Sequence, residues 1–319
     1  MRSLLDRFGT KKIAWVGVGL TALLAAVALL ALSNGAAHSV RPGSGPGTTG
    51  AASIDAYRGL GTWVDLYDTR AWADPAAAVR DMAGHGVRTL FVETANSSSK
   101  SGLVHPAELA TLITEAHAHH MYVVAWYLPS LHAGSVDLDR IMQAIDLKTT
   151  GGQSFDSFAL DIESTAVKPV ALRNQRLTAL SQQVRDRVGP GYALGAIIPS
   201  PVGLSSKKGY WSGFPYAMLA ATYDVFLPMH YYTFSAHTPA VTYNSTLANM
   251  RVLRAQPGCA TAPVHLIGGI SGASSAAEVR QLARGILEAG CVGASLYGWT
   301  GTSAAAWREL ASVNTSATS

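Results

Sequence analysis

The chain has 319 residues, of which 48% are apolar and 14% charged, and this composition excludes a globally disordered protein and supports a sizeable core. The net charge of +4 is concentrated at the start, where Arg2, Arg7, Lys11 and Lys12 less Asp6 contribute +3. The remaining 20 basic residues (24 less 4) and 19 acidic residues (20 less 1) nearly cancel, so the main body is not expected to bind nucleic acid.

Residues 13–32 form an uncharged run of 20 residues, which is long enough to span a bilayer as a helix. By the positive-inside rule the basic segment 1–12 is expected in the cytoplasm, and the chain beyond the helix is expected outside it. A cleaved signal peptide, giving a secreted protein, is the alternative, because Ala-Leu-Ser at 31–33 resembles a small-residue cleavage site. Residues 33–52 are rich in Gly, Pro, Ser and Thr and are predicted to be a flexible linker to a domain at 53–319.

Eight strand-like runs alternate with eight helix-like segments after the linker. The predicted strands are 60–67, 87–94, 121–128, 155–164, 192–199, 223–232, 264–270 and 292–299. The predicted helices are 75–85, 106–119, 138–147, 170–188, 214–222, 240–255, 275–289 and 303–312. Such a series predicts an α/β protein with a (β/α)8 TIM barrel. A doubly wound open sheet is the alternative, but no G-x-G-x-x-G follows the first strand.

Polar and aromatic residues concentrate where the predicted strands end, which is where TIM barrels carry their active sites. The set comprises Asp65, Tyr67, Glu93, Trp126, Tyr127, Asp161, Glu163, His230, Tyr231, Tyr232, Tyr297 and Trp299. Aromatic rings stack on the C–H faces of pyranose rings, and carboxylates bind sugar hydroxyls. A polysaccharide or oligosaccharide is therefore the expected substrate, and no cofactor is expected.

The fourth predicted strand, FDSFALDIES, carries two acids in one phase of its alternation. Asp161 and Glu163 alternate with Leu160 and Ile162, so the two carboxylates share a face. Same-face neighbours on a strand lie roughly 6.5–7 Å apart, close enough for each carboxylate to disfavour ionisation of the other. A carboxyl group that stays protonated near neutral pH is what general-acid catalysis on a leaving-group oxygen requires. We therefore predict that these two acids are catalytic.

The segment at 156–163, Asp-Ser-Phe-Ala-Leu-Asp-Ile-Glu, resembles the D-G-x-D-x-D-x-E motif on the fourth strand of family 18 glycoside hydrolases, the chitinase-like barrels. Met-His-Tyr at 229–231 is similar to that family's Met-x-Tyr on strand six, and Trp299 falls where the family keeps a Trp. The resemblance implies that Glu163 is the acid/base and that Asp161 orients the substrate's N-acetyl group, which acts as the nucleophile. It also implies that Tyr231 holds that group and that Trp299 lies beneath the sugar.

Three positions depart from the family pattern. Ala159 stands in place of the middle Asp, Ser157 in place of Gly, and Tyr232 where the strand-six motif usually continues with Asp. The missing Asp favours an alternative, a barrel that binds glycan without turnover, and fold alone does not exclude it. Another sugar-hydrolase group is equally compatible. There Glu93 or Asp65 would be the second carboxylate, about 5 Å from the first in a retaining enzyme or about 6.5–9.5 Å in an inverting one. A hydrolase of a non-sugar bond is the third hypothesis.

Other polar residues have structural interpretations. The histidines at 117, 119 and 120 precede the third predicted strand, on the face of the barrel that serves stability, so metal binding is not expected there. Asp224 begins the sixth predicted strand and has the same interpretation. Cys259 and Cys291 form either one disulfide or two buried free thiols.

Overall fold

The computed structural model describes residues 52–206, 210–235 and 238–318. In this part of the chain eight parallel strands close into a barrel, in which each strand pairs with the next and β8 pairs with β1. The strands are β1 (Gly59–Val64), β2 (Thr89–Asn96), β3 (Tyr122–Leu128), β4 (Ser157–Asp161), β5 (Leu194–Pro199), β6 (Val225–Met229), β7 (His265–Ile270) and β8 (Gly293–Tyr297). The predicted (β/α)8 barrel is confirmed, and each predicted strand is present within a few residues of its predicted limits.

Ten α-helices lie within the described residues. They are α1 (Thr69–Ala73), α2 (Pro75–Gly84), α3 (Pro106–Ala118), α4 (Asp137–Ile145), α5 (Val170–Val188), α6 (Pro201–Ser206), α7 (Tyr216–Thr222), α8 (Pro239–Arg254), α9 (Ala276–Glu288) and α10 (Ala304–Leu310). Eight correspond to the predicted helices, whereas α1 and α6 were not predicted. Asp68 and Asp74 explain why two helices follow β1, since each side chain accepts a hydrogen bond from the first turn of one helix.

The strands are buried on both faces, as parallel strands in α/β proteins usually are. One face packs against the helices in a continuous apolar layer, to which successive strands contribute Leu60, Leu90, Val123 and Leu160. The residues in the alternate phase face the interior of the barrel. This alternation decides which side chains can approach a ligand at the end of the barrel where the strands finish, here called the mouth.

Tyr57 and His265 fill the opposite end of the barrel. Tyr57 is fully buried, and its Oη lies 2.7 Å from Ser157 Oγ. His265 is also fully buried, with Nδ1 2.8 Å from the carbonyl oxygen of Tyr57. Burial lowers the pKa of His265 to about 4, so its imidazole is neutral. A Cβ atom at Gly293 would collide with this ring, which explains the glycine at that position.

Acidic residues at the beginnings of strands tie neighbouring strands together. Asp156 precedes β4 and accepts a hydrogen bond of 2.7 Å from the backbone of Val123 in β3. The same carboxylate lies 3.0 Å from His117 Nε2. Asp224 precedes β6 and pairs with Arg185 at 2.7 Å. The first Asp of the family-like motif therefore has a structural role at the end of the barrel opposite the mouth, and Asp224 lies where a structural residue was predicted.

The predicted cytoplasmic segment 1–12, the predicted membrane span 13–32 and nearly all of the predicted linker 33–52 lie outside the described residues. Among the helices that the structure does describe, none has the length and apolar character needed to cross a membrane.

The two cysteines are not bonded to each other. Cys259 and Cys291 are both free and buried, which is the second of the two predicted alternatives. Burial raises the pKa of the Cys259 thiol to about 11 and that of the Cys291 thiol to about 12. Neither thiol is therefore ionised near neutral pH.

Candidate active site

Two acids lie where β4 ends at the mouth. Leu160 and Ile162 belong to the apolar layer beneath the helices, so Asp161 faces the interior of the barrel. Asp161 is only 5% exposed, whereas Glu163, two residues further on, is half-buried. Sheet-like pairing continues past the last strand residue, because the backbone N–H of Ile162 donates to the carbonyl oxygen of Ile197 at 2.8 Å. The two predicted catalytic acids therefore follow each other at the mouth, one buried and one in contact with solvent.

Tyr210 lies beside these acids, in the loop between α6 and α7. Its Oη is 3.4 Å from the backbone carbonyl oxygen of Glu163. Burial, together with the charges of Glu163 and Asp161, raises the pKa of Tyr210 to about 12, so the phenol stays protonated at neutral pH. Tyr210 was not predicted from the sequence, because it belongs to no strand and its position depends on how a loop folds back. The only local signal is an aromatic pair, Tyr210 and Trp211, in a Ser- and Gly-rich loop.

Glu93 and Asp65 both lie near the mouth but in different surroundings. Glu93 is fully buried, and its carboxylate accepts hydrogen bonds from the Asn96 amide at 3.1 Å and the Leu66 backbone at 3.2 Å. Asp65 is half-buried and accepts a hydrogen bond of 3.2 Å from the Tyr297 hydroxyl. Glu93 therefore joins the segments that follow β1 and β2. Asp65 is the candidate second carboxylate that has contact with solvent.

Aromatic rings form a connected cluster that runs from the interior towards the mouth. The ring of Trp63 stacks on Phe91 at 4.4 Å and on Tyr297 at 5.9 Å, measured between centroids. Tyr297 meets Tyr231 edge to face at 5.9 Å, and Trp126 meets Trp63 in the same way at 5.9 Å. Tyr231 has a φ of 38°, a left-handed conformation that is uncommon for an aromatic residue. Two predicted substrate-binding residues, Trp126 and Tyr231, thus belong to one aromatic cluster.

Tyr232 and Trp299, which were also predicted to bind substrate, lie in the apolar layer between strands and helices. Trp299 donates a hydrogen bond from Nε1 to Asp81 of α2 at 2.8 Å, and Tyr232 is only 2% exposed. Both departures have the same cause, a positive φ just before the residue. Gly298 has a φ of 91° and Tyr231 one of 38°, so the strand alternation stops there. The structure does not bring these two side chains to the mouth, which corrects the expectation that Trp299 lies beneath a sugar.

No protein-family model matches the chain, and no curated protein matches it in sequence. Solved structures match it in fold. The C-terminal domain of a putative chitinase from Desulfitobacterium hafniense aligns with a TM-score of 0.59 at 11% identity, covering 82% of this chain and 99% of that one. A chitinase from Chromobacterium violaceum gives 0.53 at 12% identity, with 80% and 98% covered. An endo-β-1,4-mannanase from Thermotoga petrophila gives 0.58 at 10% identity, with 82% and 77% covered.

The fold is a TIM barrel, similar to those of these solved structures. At identities near one in ten the likeness shows the fold alone.

The alanine at position 159 also affects the hydrogen bonding of a neighbouring tryptophan. It pairs with Trp126 across β3 and β4. The indole Nε1 of Trp126 is buried and has no hydrogen-bond acceptor among the described residues. A buried donor in this condition costs about 1–3 kcal/mol. An Asp in place of Ala159 would offer an acceptor on the neighbouring strand. The departure from the chitinase-like motif therefore coincides with an unpaired donor one level below Asp161.

In the described part of the chain, no group of three or more His, Cys, Asp or Glu side chains is arranged to hold a metal ion. His230, at the end of β6, lies with Nε2 2.9 Å from Ser245 Oγ. Burial lowers the pKa of His230 to about 4, so this imidazole is neutral. It is 7% exposed and packs beside Tyr232, with ring centroids 5.8 Å apart. His230 therefore has a structural place beside Tyr232 and Ser245.

Proposed function

We propose that this chain is a glycoside hydrolase acting on a polysaccharide or oligosaccharide, with Glu163 as the general acid/base. One observation carries the proposal: Asp161 and Glu163 lie together at the mouth of a closed barrel, beside the neutral phenol of Tyr210. The ends of the strands are where TIM barrels of many activities carry their catalytic groups. A half-buried Glu is accessible to a leaving-group oxygen and close enough to protein to be oriented.

The chemistry that fits this arrangement is proton transfer at a glycosidic bond. Glu163 protonates the leaving-group oxygen and afterwards accepts a proton from the attacking water. Buried Asp161 orients the group that stabilises the positive charge at the sugar, which in an N-acetylated glycan is the substrate's own amide. Solved barrels of the same fold include chitinases by name, which supports an N-acetylated or cell-wall glycan as the substrate. If the mechanism uses two carboxylates instead, Asp65 is the better second acid because Glu93 is fully buried.

The proposal includes a place for the reaction outside the cytoplasm. The uncharged run at 13–32 and the basic segment before it support an N-terminal membrane anchor. The Gly-, Pro-, Ser- and Thr-rich linker at 33–52 would give the barrel freedom to reach a cell-wall glycan. Protease treatment of intact cells tests this part: digestion of the barrel from outside, with a cell-bound N-terminal fragment left behind, is the expected result. A barrel that is protected in intact cells and digested only after lysis would contradict it.

A glycan-binding barrel without turnover is the second candidate. Ala159 favours it, because the Asp that the chitinase-like motif carries at this position is missing and the neighbouring Trp126 donor is unpaired. In that case the mouth would hold sugar for attachment to the wall or for wall sensing.

The deciding experiment compares the full-length chain with Glu163→Gln on N-acetylated and plain oligosaccharides and on purified wall glycan, with products read by mass. Glu288→Gln is the matched control, since Glu288 is an exposed acid at the end of α9. Cleavage by the parent and the control but not by Glu163→Gln would support the enzyme and its acid together. Cleavage by all three would transfer the catalytic role to Asp65 or Glu93. Binding without cleavage in all three would favour the second candidate.

A further inference from the structure

A buried arginine holds the loop that carries Tyr210. Arg173, in the first turn of α5, is only 3% exposed. Its Nε donates to the carbonyl oxygen of Val167 at 2.9 Å, and its Nη1 to that of Tyr210 at 3.3 Å. Its guanidinium carbon lies 4.5 Å from the centroid of the Trp211 ring. One cation therefore joins the loop that follows β4 to the loop that precedes α7.

A second set of contacts fixes the same loop on the same helix. Trp211 donates from Nε1 to Asn174 Oδ1 at 2.7 Å, and the Asn174 amide donates to the carbonyl oxygen of Gly213 at 2.8 Å. The ring of Trp211 also packs edge to face on Phe214, with centroids 5.2 Å apart. These hydrogen bonds are directional, and the Trp211 ring that they hold is buried. The loop at 210–214 is therefore docked on the first turn of the helix that begins seven residues after Glu163.

Burial of the Arg173 guanidinium carries a free-energy cost, which indicates a role other than stabilisation of the fold. Among the described residues Arg173 has no carboxylate partner; its donors go to carbonyl oxygens. A guanidinium removed from water without a paired acid carries a desolvation penalty. The contacts that accompany this cost fix the position of Tyr210. The Tyr210 side chain stays 37% exposed while Trp211 beside it is only 1% exposed.

Tyr210 presents two groups that suit a sugar. Tyr210 is 37% exposed and lies beside Glu163, and an accessible aromatic ring is a group on which a pyranose ring can stack. The hydroxyl is 3.4 Å from the Glu163 carbonyl oxygen, longer than the distance of about 2.7–2.8 Å that is usual for O–H···O bonds. This donor is therefore only weakly engaged with the protein.

We propose that Tyr210 is a substrate-binding residue: its ring forms one wall of the sugar subsite at Glu163, its hydroxyl donates to a sugar hydroxyl or amide oxygen, and the Arg173–Trp211 clamp sets its position. The inference rests on the proposed function and names a contact that neither the strand pattern nor the family-like motif supplies. Arg173 is a positioning residue, because it acts on the substrate only through Tyr210.

The test measures binding of an N-acetylglucosamine hexamer and a mannose hexamer by calorimetry, using the full-length Glu163→Gln chain so that no turnover occurs. Adding Tyr210→Ala is expected to weaken binding about tenfold or more, since it removes both ring and hydroxyl. Tyr210→Phe keeps the ring and is expected to weaken binding by about threefold to tenfold. Tyr243→Ala, a half-buried tyrosine on α8, is the matched control and is expected to leave affinity unchanged.

The clamp is tested separately in the active chain. Arg173→Lys cannot bridge two carbonyl oxygens and stack on Trp211 at once, so we expect a raised KM with kcat changed much less. If that variant fails to fold, Trp211→Phe removes the bond to Asn174 and carries the same expectation. A merely structural role would lower the melting temperature without changing KM.

Outcomes for the inference and for the proposed function differ. If the parent cleaves or binds a glycan and Tyr210→Ala matches it, the inference on Tyr210 is overturned and the proposed function stands. If Tyr210→Phe matches the parent while Tyr210→Ala is weak, the hydroxyl contact is overturned and the stacking wall is supported. If the parent neither binds nor cleaves any glycan, the proposed function is overturned and the inference with it.

Discussion

Acidification is expected to destabilise this barrel through His265, and the network around that residue explains why. The Nδ1–H donates to the Tyr57 carbonyl oxygen at 2.8 Å, and Nε2 accepts from the Ser295 hydroxyl at 3.2 Å. Ser295 Oγ in turn accepts from Trp63 Nε1 at 2.7 Å. Each proton in this chain of bonds is assigned when the imidazole is neutral. A second proton on His265 would oppose the Ser295 hydroxyl proton in a fully buried site.

The size and direction of the effect follow from the pKa of His265. Burial lowers it from 6.5 to about 4, so the unfolded chain takes up a proton as the pH falls through 6.5 while the folded chain does not until about 4. The contribution of neutral His265 to the free energy of unfolding is therefore fully present above pH 6.5 and is lost between pH 6.5 and 4. At about 1.4 kcal/mol for each unit of the shift, the loss at this residue is about 3 kcal/mol.

Urea unfolding of the parent and of His265→Gln between pH 4 and 7.5 measures this loss. Gln keeps a donor and an acceptor but does not titrate, so we expect the parent to lose about 3 kcal/mol more than the variant on acidification. His119→Gln, at an exposed position on the same end of the barrel, is the control and should follow the parent. Buried His230 titrates alike in all three chains and cancels from the comparison. Equal pH slopes for the parent and His265→Gln would refute the reasoning.

Two substitutions and one labelling experiment have expected outcomes. Asp137 is 2% exposed and accepts several hydrogen bonds from the loop that follows β3. Asp137→Asn is therefore expected to lower the free energy of unfolding by about 2–4 kcal/mol. An unchanged midpoint of urea unfolding would contradict this. Gly298 has a φ of 91°, and a Cβ atom there would lie 3.3 Å from Ser271 Oγ, so Gly298→Ala is expected to cost about 1–3 kcal/mol, measured by thermal melting. Cys259 and Cys291 are expected to react with a thiol reagent only on unfolding, and rapid labelling of the native chain would show that their burial is wrong.

The barrel was predictable because strand-like and helix-like hydrophobic patterns alternate regularly along the chain. Strand-like runs recur with helical segments between them, and that order leaves few topologies to choose from. The phase of β4 was predictable for the same reason: Leu160 and Ile162 are apolar, and burying them beneath the helices turns Asp161 to the interior. The roles of residues at strand beginnings also followed from position, as with Asp224.

Backbone turns and loops that fold back were not predictable. The alternation of side chains along β8 does not predict where the Trp299 side chain lies. The positive φ of Gly298 turns the backbone just before Trp299, and the indole then bonds to Asp81 on the helix side. The positive φ of Tyr231 has the same effect on Tyr232, whose side chain lies in the apolar layer. Tyr210 could not be found from spacing at all, because 47 residues separate it from Glu163 and its place is set by contacts with α5.

Arg173 has a role that its position in the sequence does not indicate. It follows Glu163 by ten residues, and a basic residue so close in sequence to two acids is a natural candidate for their ion-pair partner. Folding directs its donors elsewhere, to the carbonyl oxygens of Val167 and Tyr210, with its flat face on Trp211. The charge therefore serves loop geometry. For this reason we expect replacement of Arg173 to change how the mouth binds substrate, through the position of Tyr210, and to leave proton transfer at Glu163 nearly unchanged.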